Sequence, residues 1–585
     1  MQLRQDDSRT WKSEPAVDVS DAIIASMAAG GVDHLFFTSG AEIVFYQEAI
    51  ARAKAQGKAA PRLIVMPHEH ASLNAALGYA AVSGKPAATA AHVDAGTLNY
   101  GGAIHTAWRS GLPVLITAGG GPASYPGSMH GSRDGGGHIW MQQPYDQNGI
   151  LRQYTKWDHR LEYQDNPGLI VSRALQVAMT EPRGPVYLTI PKEIGLLKTT
   201  ESRFPTLAQL QPALPAAPDP NGIRELAERL LKAKNPVVIV AGSGRNPATV
   251  PELIALCEFL GLAVVYTSPP AYLCFPMRHP LRQLTAAVGA ADVVLCLEAN
   301  VPWSPGEHEP AAGAYVAYVH SDPIQDRIPT YEFTANLRMT GDPLSTIRAL
   351  AAEVASRATA EDRARIAERT AKLAAASQER IARTERESLA LATKSPIDPN
   401  WLSYQIAQLV DDNSIVLDET LIHNRLGSHM PSRLPGSYFR NPGSSGGWTP
   451  GAAFGAKLAA PERDVIAVAG DGYYMFGTAN QALWAANHYG APYLHVIYQN
   501  RSWSTGTLRI DATYKDSFSA KGGYDGGYFD PPIDFAQEAM AAGAYGENVR
   551  KAEDVGPALR RGLEQTRQGR PAVISVWLAK LLSDS

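Results

Sequence analysis

The segment Asp464–Trp503 reads DVIAVAGDGYYMFGTANQALWAANHYGAPYLHVIYQNRSW and decides the fold of this chain. An apolar, β-branched run leads into Gly-Asp-Gly at 470–472, a helical stretch follows, and a second apolar run ends at Asn500. This pattern is typical of two parallel strands joined by a crossover helix. Because the carboxyl ends of parallel strands share the edge where open α/β sheets bind ligands, we expect Asp471 and Asn500 to lie close together there.

The residues at this edge suit a divalent cation and a diphosphate. Asp471 offers a carboxylate and Asn500 an amide oxygen, and Mg²⁺ is commonly held by one or two such protein oxygens together with phosphates. Gly470 and Gly472 allow the backbone to turn tightly and to approach a phosphate. A Gly-Asp-Gly sequence alone is more often a solvent turn. With 28 residues between Asp471 and Asn500 and a buried strand before each, the combination favours a metal and diphosphate site.

Length and composition indicate a multidomain globular protein. The 585 residues are too many for one core and predict three or four domains. A net charge of −4, with 19% charged residues, leaves no basic stripe for nucleic acid. The three cysteines form no Cys-x-x-Cys pair, and no apolar run is long enough for a membrane span. Since the polar amino terminus also lacks the apolar region of a signal peptide, we expect a cytoplasmic protein.

Two segments far apart in the chain follow the same order of elements. Ala103–Gly119 and Ala482–Tyr498 each read as a helix, a Gly-x-Pro spacing and a strand. We infer that residues 15–195 and 396–580 have related α/β topology. The alternative is that any two strand-helix-strand units share this much.

The chain divides at a proline-rich linker, Leu210–Gly222, and at a charged helical stretch after residue 350. We predict an α/β fold of three doubly wound parallel-sheet domains, with boundaries 1–200, 216–350 and 396–585 and a helical connector at 351–395. The central domain contains Gly242-Ser243-Gly244, a turn that suggests a nucleotide. Because the third glycine and a ribose-binding acid are missing, a dehydrogenase is disfavoured, and a structural domain or a nonreactive nucleotide remains open.

Glu69 follows the strand Leu63–Pro67 and precedes a helix rich in small residues. A carboxylate at such a strand end can be partly buried and thereby tuned for acid–base chemistry. The alternative is an ordinary acidic residue in the first turn of a helix. His68 and His70 flank Glu69, and His92 lies at the end of the next strand, where an imidazole could shuttle a proton.

The Gly-Asp-Gly motif and two longer runs of sequence resemble those of one enzyme family. The Gly470–Gly472 motif with Asn500 resembles the diphosphate and metal motif of thiamine diphosphate enzymes. HVDAGTLNYGGAIHTAWRSGLPVLITAG (92–119) and YFRNPGSSGGWTPGAAFGAKLAAPERDVIAVAGDG (438–472) look like segments of benzoylformate decarboxylase. More widely, the chain is similar to acetolactate synthase, benzaldehyde lyase and 2-hydroxyacyl-CoA lyase. The resemblance covers most of both terminal thirds and implies pyrimidine-binding, central Rossmann-like and diphosphate-binding domains.

This resemblance implies thiamine diphosphate and Mg²⁺ as cofactors, and it assigns roles to particular residues. Glu69 of one subunit would bind the aminopyrimidine ring of a cofactor held by Asp471 of another, in a homo-oligomer that we expect to be a dimer of dimers. His92 would be the active-site histidine, with His70 a weaker candidate. The resemblance also implies cofactor contacts for Trp448 and Tyr473 and a metal contact for the backbone carbonyl of Ser502. Thr420 and His423 follow the strand SIVL (414–417) and, from their residue types and position, are candidate donors to phosphate oxygens. Ordinary helix capping is the alternative.

The chain departs from the decarboxylase at several positions. Ala41 stands where that family has a serine for the substrate carboxylate, which argues against benzoylformate as the substrate. Gly446 aligns with the bulky residue that bends the cofactor, and Trp448 is the predicted replacement. Tyr473 stands where a small residue is common, and we expect it to alter the phosphate contacts.

We therefore predict cleavage or formation of the C–C bond next to a carbonyl, through an ylid and an enamine, in a 2-oxo acid or a 2-hydroxyacyl substrate. A decarboxylase or lyase is preferred, and an acetolactate synthase-like carboligase is an alternative. A 2-hydroxyacyl-CoA lyase is another, with ADP, CoA or FAD in the central domain and Arg245 near a phosphate. More distant alternatives are an oxidoreductase that uses Gly242 and Gly244, and a regulatory homologue that binds the cofactor without chemistry.

Overall fold

Three parallel sheets follow one another along the chain, and each forms the centre of an α/β domain. The computed structural model describes residues 11–133, 136–267, 271–423 and 425–582. Among the helices of these residues, none combines the length and the apolarity that crossing a bilayer requires.

The N-terminal domain is built on a six-stranded parallel sheet. Its strands are β1 (Lys12–Pro15), β2 (His34–Phe37), β3 (Arg62–Val65), β4 (Ala87–Ala91), β5 (Val114–Gly120), β6 (Trp157–Arg160), β7 (Val186–Pro191) and β8 (Glu201–Phe204). Its helices are α1 (Val19–Ala29), α2 (Val44–Ala55), α3 (Glu69–Ser83), α4 (Val93–Asn99), α5 (Gly102–Ser110), α6 (His138–Met141), α7 (Pro167–Met179) and α8 (Lys192–Gly195). The sheet has the order β3-β2-β4-β5-β7-β6, and β1 pairs antiparallel with β8.

The central domain has a five-stranded parallel sheet, and a long helix connects it to the last domain. The strands are β9 (Pro236–Val240), β10 (Ala263–Val265), β11 (Val293–Leu297), β12 (Tyr315–His320) and β13 (Leu337–Thr340). The helices are α9 (Pro220–Lys232), α10 (Thr249–Leu260), α11 (Pro343–Arg357) and the connecting α12 (Ala360–Leu389). The sheet has the order β10-β9-β11-β12-β13. The predicted boundary at residue 350 lies within α11, and the charged stretch forms the 30-residue α12.

The C-terminal domain again has a six-stranded parallel sheet. Its strands are β14 (Ser414–Glu419), β15 (Tyr438–Arg440), β16 (Asp464–Gly470), β17 (Leu494–Gln499), β18 (Tyr545–Val549) and β19 (Ala572–Trp577). Its helices are α13 (Pro399–Ala407), α14 (Leu426–His429), α15 (Thr449–Ala459), α16 (Asp471–Phe476), α17 (Ala479–His488), α18 (Ser504–Thr513), α19 (Phe518–Lys521), α20 (Phe535–Ala541) and α21 (Val555–Arg567). The sheet has the order β15-β14-β16-β17-β19-β18.

The strand orders confirm the predicted fold class and the predicted relation between the two terminal domains. Numbered along the chain within each terminal sheet, the strands lie second, first, third, fourth, sixth, fifth in both. Both faces of the sheets are covered, because neighbouring residues of one strand enter different apolar clusters. In β2, Phe36 belongs to one cluster and Leu35 and Phe37 to another.

Each sheet has a point near its first strand where the chain reverses the order in which strands are added. These points lie between β2 and β4, between β9 and β11, and between β14 and β16. Ligands of open α/β sheets bind in the crevice at such a point, outside the carboxyl ends of the strands. The residues that follow these strands are therefore the candidates for function.

The N-terminal and C-terminal domains meet through α3 and α15, which pack backbone against backbone. A Cβ atom on Gly451 would lie 2.6 Å from the carbonyl oxygen of Ala71, and Cβ atoms on Gly78 and Gly455 would also overlap the facing backbone. Only glycine permits this approach, since real Cβ atoms do not come so close. The interface fixes the amino-terminal ends of both helices relative to each other.

Candidate active site

Asp471 and Asn500 lie at the ends of adjacent strands, as predicted from the sequence. β16 and β17 pair in parallel, and Asp471 begins α16 directly after β16. The Asp471 carboxylate accepts the N–H of Gly472 at 2.9 Å and the N–H of Arg501 at 2.6 Å. Because Arg501 directly follows Asn500, the second hydrogen bond fixes the carboxylate beside the Asn500 loop.

The environment of Asp471 suits a cation ligand. Burial raises the pKa of this carboxyl to about 7, against the opposing effect of the N–H groups of Arg501 and Gly472. The protein alone therefore compensates the charge of the ionised form only in part. An opposite charge close to a buried carboxyl favours ionisation, so a divalent cation would supply what the site lacks.

Asn500 is held in place by its side-chain amide. The amide nitrogen donates to Nε2 of His423 at 3.1 Å and to the hydroxyl of Ser504 at 2.9 Å. Burial lowers the pKa of His423 to about 4, so its ring is neutral and can accept this hydrogen bond. His423 was predicted to contact phosphate, whereas in the structure its Nε2 orients Asn500.

Ser502, the third predicted metal ligand, closes the same loop. Its N–H donates to the side-chain oxygen of Asn500 at 3.0 Å, and its hydroxyl donates to the backbone oxygen of Asn500 at 2.8 Å. Its carbonyl, the atom predicted to bind the metal, accepts the hydroxyl of Ser504 at 3.3 Å. The glycine-rich segment 519–532 lies against this loop, since the N–H of Trp503 donates to the carbonyl of Gly527 at 2.8 Å.

Thr420 follows β14 and belongs to a buried charged group. Its hydroxyl and its N–H both donate to Asp418 Oδ1, at 2.7 and 2.8 Å, and Asp418 Oδ2 pairs with Arg440 at 2.5 Å. Arg440 also donates to the carbonyl of Thr420 at 2.5 Å. The Thr420 hydroxyl, which was predicted to donate to a phosphate, thus donates to Asp418 in this structure.

Glu419 is a residue whose role the sequence argument missed. Its carboxylate accepts the N–H groups of Gly447 and Trp448 at 2.9 Å each, and both the N–H and the hydroxyl of Thr449, at 2.9 and 2.8 Å. Burial raises the pKa of Glu419, and the N–H donors oppose that rise. These N–H groups belong to the residues at the start of α15. Glu419, at the end of β14, therefore caps this helix.

Glu69 lies at the corresponding edge of the N-terminal sheet and begins α3, which follows β3 after the short loop 66–68. It is 5% exposed, and its carboxylate accepts a hydrogen bond from the side-chain amide of Asn99 at 3.2 Å. His92, the residue before α4, forms a hydrogen bond with Glu42, which the sequence argument did not single out. Asn99 ends the helix that His92 precedes, so α4 connects Glu69 with His92.

His70 serves the contact between domains. Burial lowers the pKa of His70 to about 4, and its Nδ1 lies 3.4 Å from the side-chain nitrogen of Asn74. Asn74 in turn donates to the carbonyl of Gly447 in the C-terminal domain at 3.2 Å. A neutral, buried ring in this position supports the α3–α15 interface, and proton transfer is better assigned to the more exposed His92.

Comparisons with known proteins decide the family. Residues 17–150 match the N-terminal TPP binding domain of thiamine pyrophosphate enzymes, 223–350 match the central domain, and 423–576 match the C-terminal TPP binding domain. Benzoylformate decarboxylase of Pseudomonas aeruginosa is 30% identical over 546 residues, which cover 88% of this chain and 91% of that protein. The chain belongs to the thiamine pyrophosphate enzymes. The family predicted from the sequence is thus confirmed.

Other thiamine pyrophosphate enzymes resemble the chain over nearly its whole length. A sulfoacetaldehyde acetyltransferase of Rhodobacter capsulatus is 25% identical over 593 residues, which cover 96% of this chain and 95% of that protein. The solved structure of a thiamine diphosphate-dependent 4-hydroxybenzoylformate decarboxylase from Rhodococcus jostii RHA1 has a TM-score of 0.76 at 21% identity, covering 97% of this chain and 100% of that chain. The last likeness establishes the fold.

In this thiamine pyrophosphate enzyme, Gly446 and Tyr473 share one space. A Cβ atom on Gly446 would overlap the ring of Tyr473, and Tyr473 lines a cavity of about 660 Å³ between the three domains. The predicted replacement, Trp448, is 3% exposed and packs in the apolar cluster around α3 and α15. Tyr473 therefore fills the space that a side chain at position 446 would need.

We expect Gly446→Leu to lower the free energy of unfolding by roughly 1–3 kcal/mol, because the leucine is overpacked against Tyr473. Adding Tyr473→Ala should restore most of this loss, since the leucine then fills the vacated space. Denaturant unfolding of the cofactor-free protein measures both values. Gly506→Leu is the control, because a Cβ atom there meets nothing within 4 Å. Equal stabilities of Gly446→Leu and the unaltered protein would contradict the shared space.

The central domain does not fit a nucleotide at its glycine turn. The N–H of Gly242 donates to the carbonyl of Glu298 at 2.8 Å, and the N–H of Gly244 donates to Cys274 Sγ at 3.3 Å. The Glu298 carboxylate, held by the N–H of Ser321 at 2.8 Å, lies over this turn. A diphosphate would meet a carboxylate instead of free N–H donors, and like charges repel.

The guanidinium of Arg245 likewise binds groups of the protein itself. Its guanidinium donates to the carbonyl of Gly111 at 3.1 Å and to Glu181 at 3.0 Å, and it lies 3.8 Å from Glu298. Burial lowers the pKa of Arg245, but the two carboxylates outweigh burial and raise it above its ordinary value. The residue joins the central domain to the N-terminal domain.

Proposed function

We propose that this enzyme uses thiamine diphosphate and Mg²⁺ to cleave or form the C–C bond next to a carbonyl. The observation that carries this proposal is the hydrogen bond from the Arg501 backbone to Asp471, which seats a buried carboxylate beside Asn500. Asp471, Asn500 and the Ser502 carbonyl would hold Mg²⁺, and Mg²⁺ would hold the diphosphate. Thiamine diphosphate, when bound, supplies an electron sink for the bond that breaks.

The residues of the N-terminal domain provide acid–base groups. In this proposal the Glu69 carboxylate binds the aminopyrimidine ring, and His92 moves a proton at the substrate. Glu69 makes its own contacts inside its domain, so we propose that a second copy of the chain brings it to the cofactor. We therefore propose a homo-oligomer. We expect it to be a dimer of dimers and to be cytoplasmic.

The possible substrates share one C–C bond next to a carbonyl. A 2-oxo acid would lose CO₂, and a 2-hydroxy ketone or a 2-hydroxyacyl thioester would lose an aldehyde. A carboligase would catalyse the reverse of this aldehyde loss. A lyase that binds a nucleotide in the central domain has the least support. The Glu298 carboxylate would repel a diphosphate, and the N–H groups of Gly242 and Gly244 already donate to protein atoms. We therefore propose a decarboxylase or lyase without a central-domain nucleotide.

Cofactor and substrate experiments test this function. Isothermal titration calorimetry should show thiamine diphosphate binding with Mg²⁺ present and none in EDTA. The loaded enzyme is then incubated with a panel of 2-oxo acids, 2-hydroxy ketones and 2-hydroxyacyl-CoA thioesters, and CO₂ and aldehydes are followed by mass spectrometry. We expect release of an aldehyde from at least one class. A copurifying flavin or nicotinamide with redox turnover would contradict the proposal.

A further inference from the structure

Glu42 and His92 meet at the point where the N-terminal sheet reverses its strand order. Glu42 lies in the short turn Ala41–Ile43 after β2, and His92 is the first residue after β4. β2 and β4 are neighbours in the sheet, so the two side chains share the crevice in which this fold binds ligands. A hydrogen bond joins Nε2 of His92 to the Glu42 carboxylate.

The two side chains differ in exposure and in charge state. The Glu42 side chain is 2% exposed and the His92 side chain is 22% exposed, so solvent reaches the imidazole but hardly reaches the carboxylate. The hydrogen bond from His92 lowers the pKa of Glu42 and outweighs the opposing effect of burial, and the charge of Lys192 acts in the same direction. Glu42 is therefore ionised near neutral pH and can only accept hydrogen bonds.

An acceptor at Nε2 decides which ring nitrogen of His92 carries the proton. When one ring nitrogen donates to a carboxylate, the neutral ring keeps its lone pair on the other nitrogen. For a neutral His92, the contact with Glu42 places the proton on Nε2 and the lone pair on Nδ1. This is the arrangement in which a carboxylate orients a histidine as a general base.

We propose that Glu42 positions His92 as the general base for the hydroxyl proton of a 2-hydroxy ketone, so that lysis of such donors is preferred over decarboxylation of 2-oxo acids. The inference rests on the proposed function and selects one of its substrate classes. His92 is the catalytic residue in this scheme, and Glu42 is a positioning residue.

Lysis of a 2-hydroxy ketone requires such a base. The hydroxyl proton passes to Nδ1 of His92, the O–H electron pair becomes the second bond of the departing aldehyde, and the C–C bond breaks. The electron pair of that bond passes to the acyl fragment, which thiamine diphosphate accommodates when bound. His92 then gives this proton to the acyl carbon, the acyl fragment leaves as a second aldehyde, and the base returns to its neutral form. The step in which a 2-oxo acid loses CO₂ removes no hydroxyl proton, so that step gains nothing from the base. The later release of the acyl fragment as an aldehyde is common to both donors.

The charge of Glu42 also discriminates between the donors. A 2-oxo acid would bring its carboxylate next to the imidazole and close to the ionised Glu42 that the imidazole contacts. Two carboxylates around one histidine repel each other, and partial burial strengthens the repulsion. A neutral 2-hydroxy ketone meets no such cost.

The test compares two donors with the same acyl fragment, benzoin and benzoylformate, in the enzyme loaded with thiamine diphosphate and Mg²⁺. We expect a higher kcat/KM for benzoin. Glu42→Gln should lower kcat/KM for benzoin on the order of 10²-fold, while changing kcat/KM for benzoylformate and cofactor affinity little, because CO₂ loss comes before the steps that the two donors share. Glu42→Asp should restore part of the loss. Glu48→Gln is the control, because this glutamate is 71% exposed on the helix that follows.

A measurement of the histidine itself makes the test independent of turnover. In ¹⁵N-histidine-labelled enzyme, with the His92→Gln variant used to assign the signal, NMR should show His92 protonated at Nε2 near neutral pH. A proton on Nδ1 would overturn the inference even if Glu42→Gln failed to fold. A higher kcat/KM for benzoylformate than for benzoin, or equal losses of kcat/KM for both donors in Glu42→Gln, would also overturn it. Absence of thiamine diphosphate binding would instead overturn the proposed function.

Discussion

Replacing Glu69 by glutamine is expected to leave thiamine diphosphate bound and the enzyme almost inactive. Glutamine has the shape of glutamate and can still accept the hydrogen bond from Asn99. It cannot exchange a proton with the aminopyrimidine ring, so exchange of the cofactor C2 proton for deuterium should slow by about 10²–10⁴-fold. NMR after acid quench measures this exchange, and calorimetry measures cofactor affinity in the same samples.

A buried glutamate of the same domain provides the control for Glu69→Gln. Glu193 is 3% exposed and accepts the N–H of Ala123 at 2.6 Å, which a glutamine oxygen can also do. Glu193→Gln should exchange deuterium as the unaltered enzyme does. If Glu69→Gln exchanged at the same rate as this control, Glu69 would have no part in activating the cofactor.

Asp471→Asn should abolish Mg²⁺-dependent cofactor binding while it stabilises the cofactor-free protein above pH 7. Burial raises the pKa of Asp471 from the ordinary 3.8 to about 7 in the folded chain. Between these values the folded protein holds a proton that the unfolded chain has released. Stability therefore falls as pH rises through this range and stays lower above it. The whole shift corresponds to at most roughly 4 kcal/mol. Asparagine carries no charge and avoids that cost.

The raised pKa of Asp471 also makes metal binding depend on pH. Mg²⁺ needs the ionised carboxylate, so its affinity should rise with pH up to about 7 and then level off, with a proton released on binding at pH 6. Calorimetry in buffers of different ionisation enthalpy counts that proton, and denaturant unfolding at pH 5 and pH 8 measures stability. Asp412→Asn is the control, because Asp412 is a surface carboxylate paired with Arg433. An Asp471→Asn variant that still bound the cofactor only with Mg²⁺ would refute the assignment.

The strand-end residues were within reach of sequence reasoning because the decisive signals are local. Apolar runs of strand length, a following helix and a polar residue at each strand end predict that Asp471 and Asn500 meet, and the structure places them on adjacent strands. The same pattern put Glu69 after β3 and His92 after β4. The relation between the terminal domains also came from local order, since both sheets repeat the same strand sequence.

Contacts between distant residues carry no such local signal. Glu42 and His92 are 50 positions apart, and Glu419 lies 28 positions before Gly447, whose N–H it accepts. Thr420 and His423 were predicted to hold phosphate because of their types and their place after a strand. The structure instead commits the Thr420 hydroxyl to Asp418 and His423 Nε2 to Asn500. The partner of a polar side chain depends on which loops the sheet order brings together.

The sequence by itself determined the three parallel α/β domains and which residues stand at the ends of their strands, because hydrophobic periodicity is written in short stretches of chain. The tertiary structure alone decided that Tyr473 fills the space above Gly446, that Glu298 covers the central glycine turn, and that Glu42 holds His92. The physical reason is that sheet order, set by packing over the whole domain, chooses the neighbours of each strand end. Those neighbours fix the charge, the proton position and the free volume on which the chemistry depends.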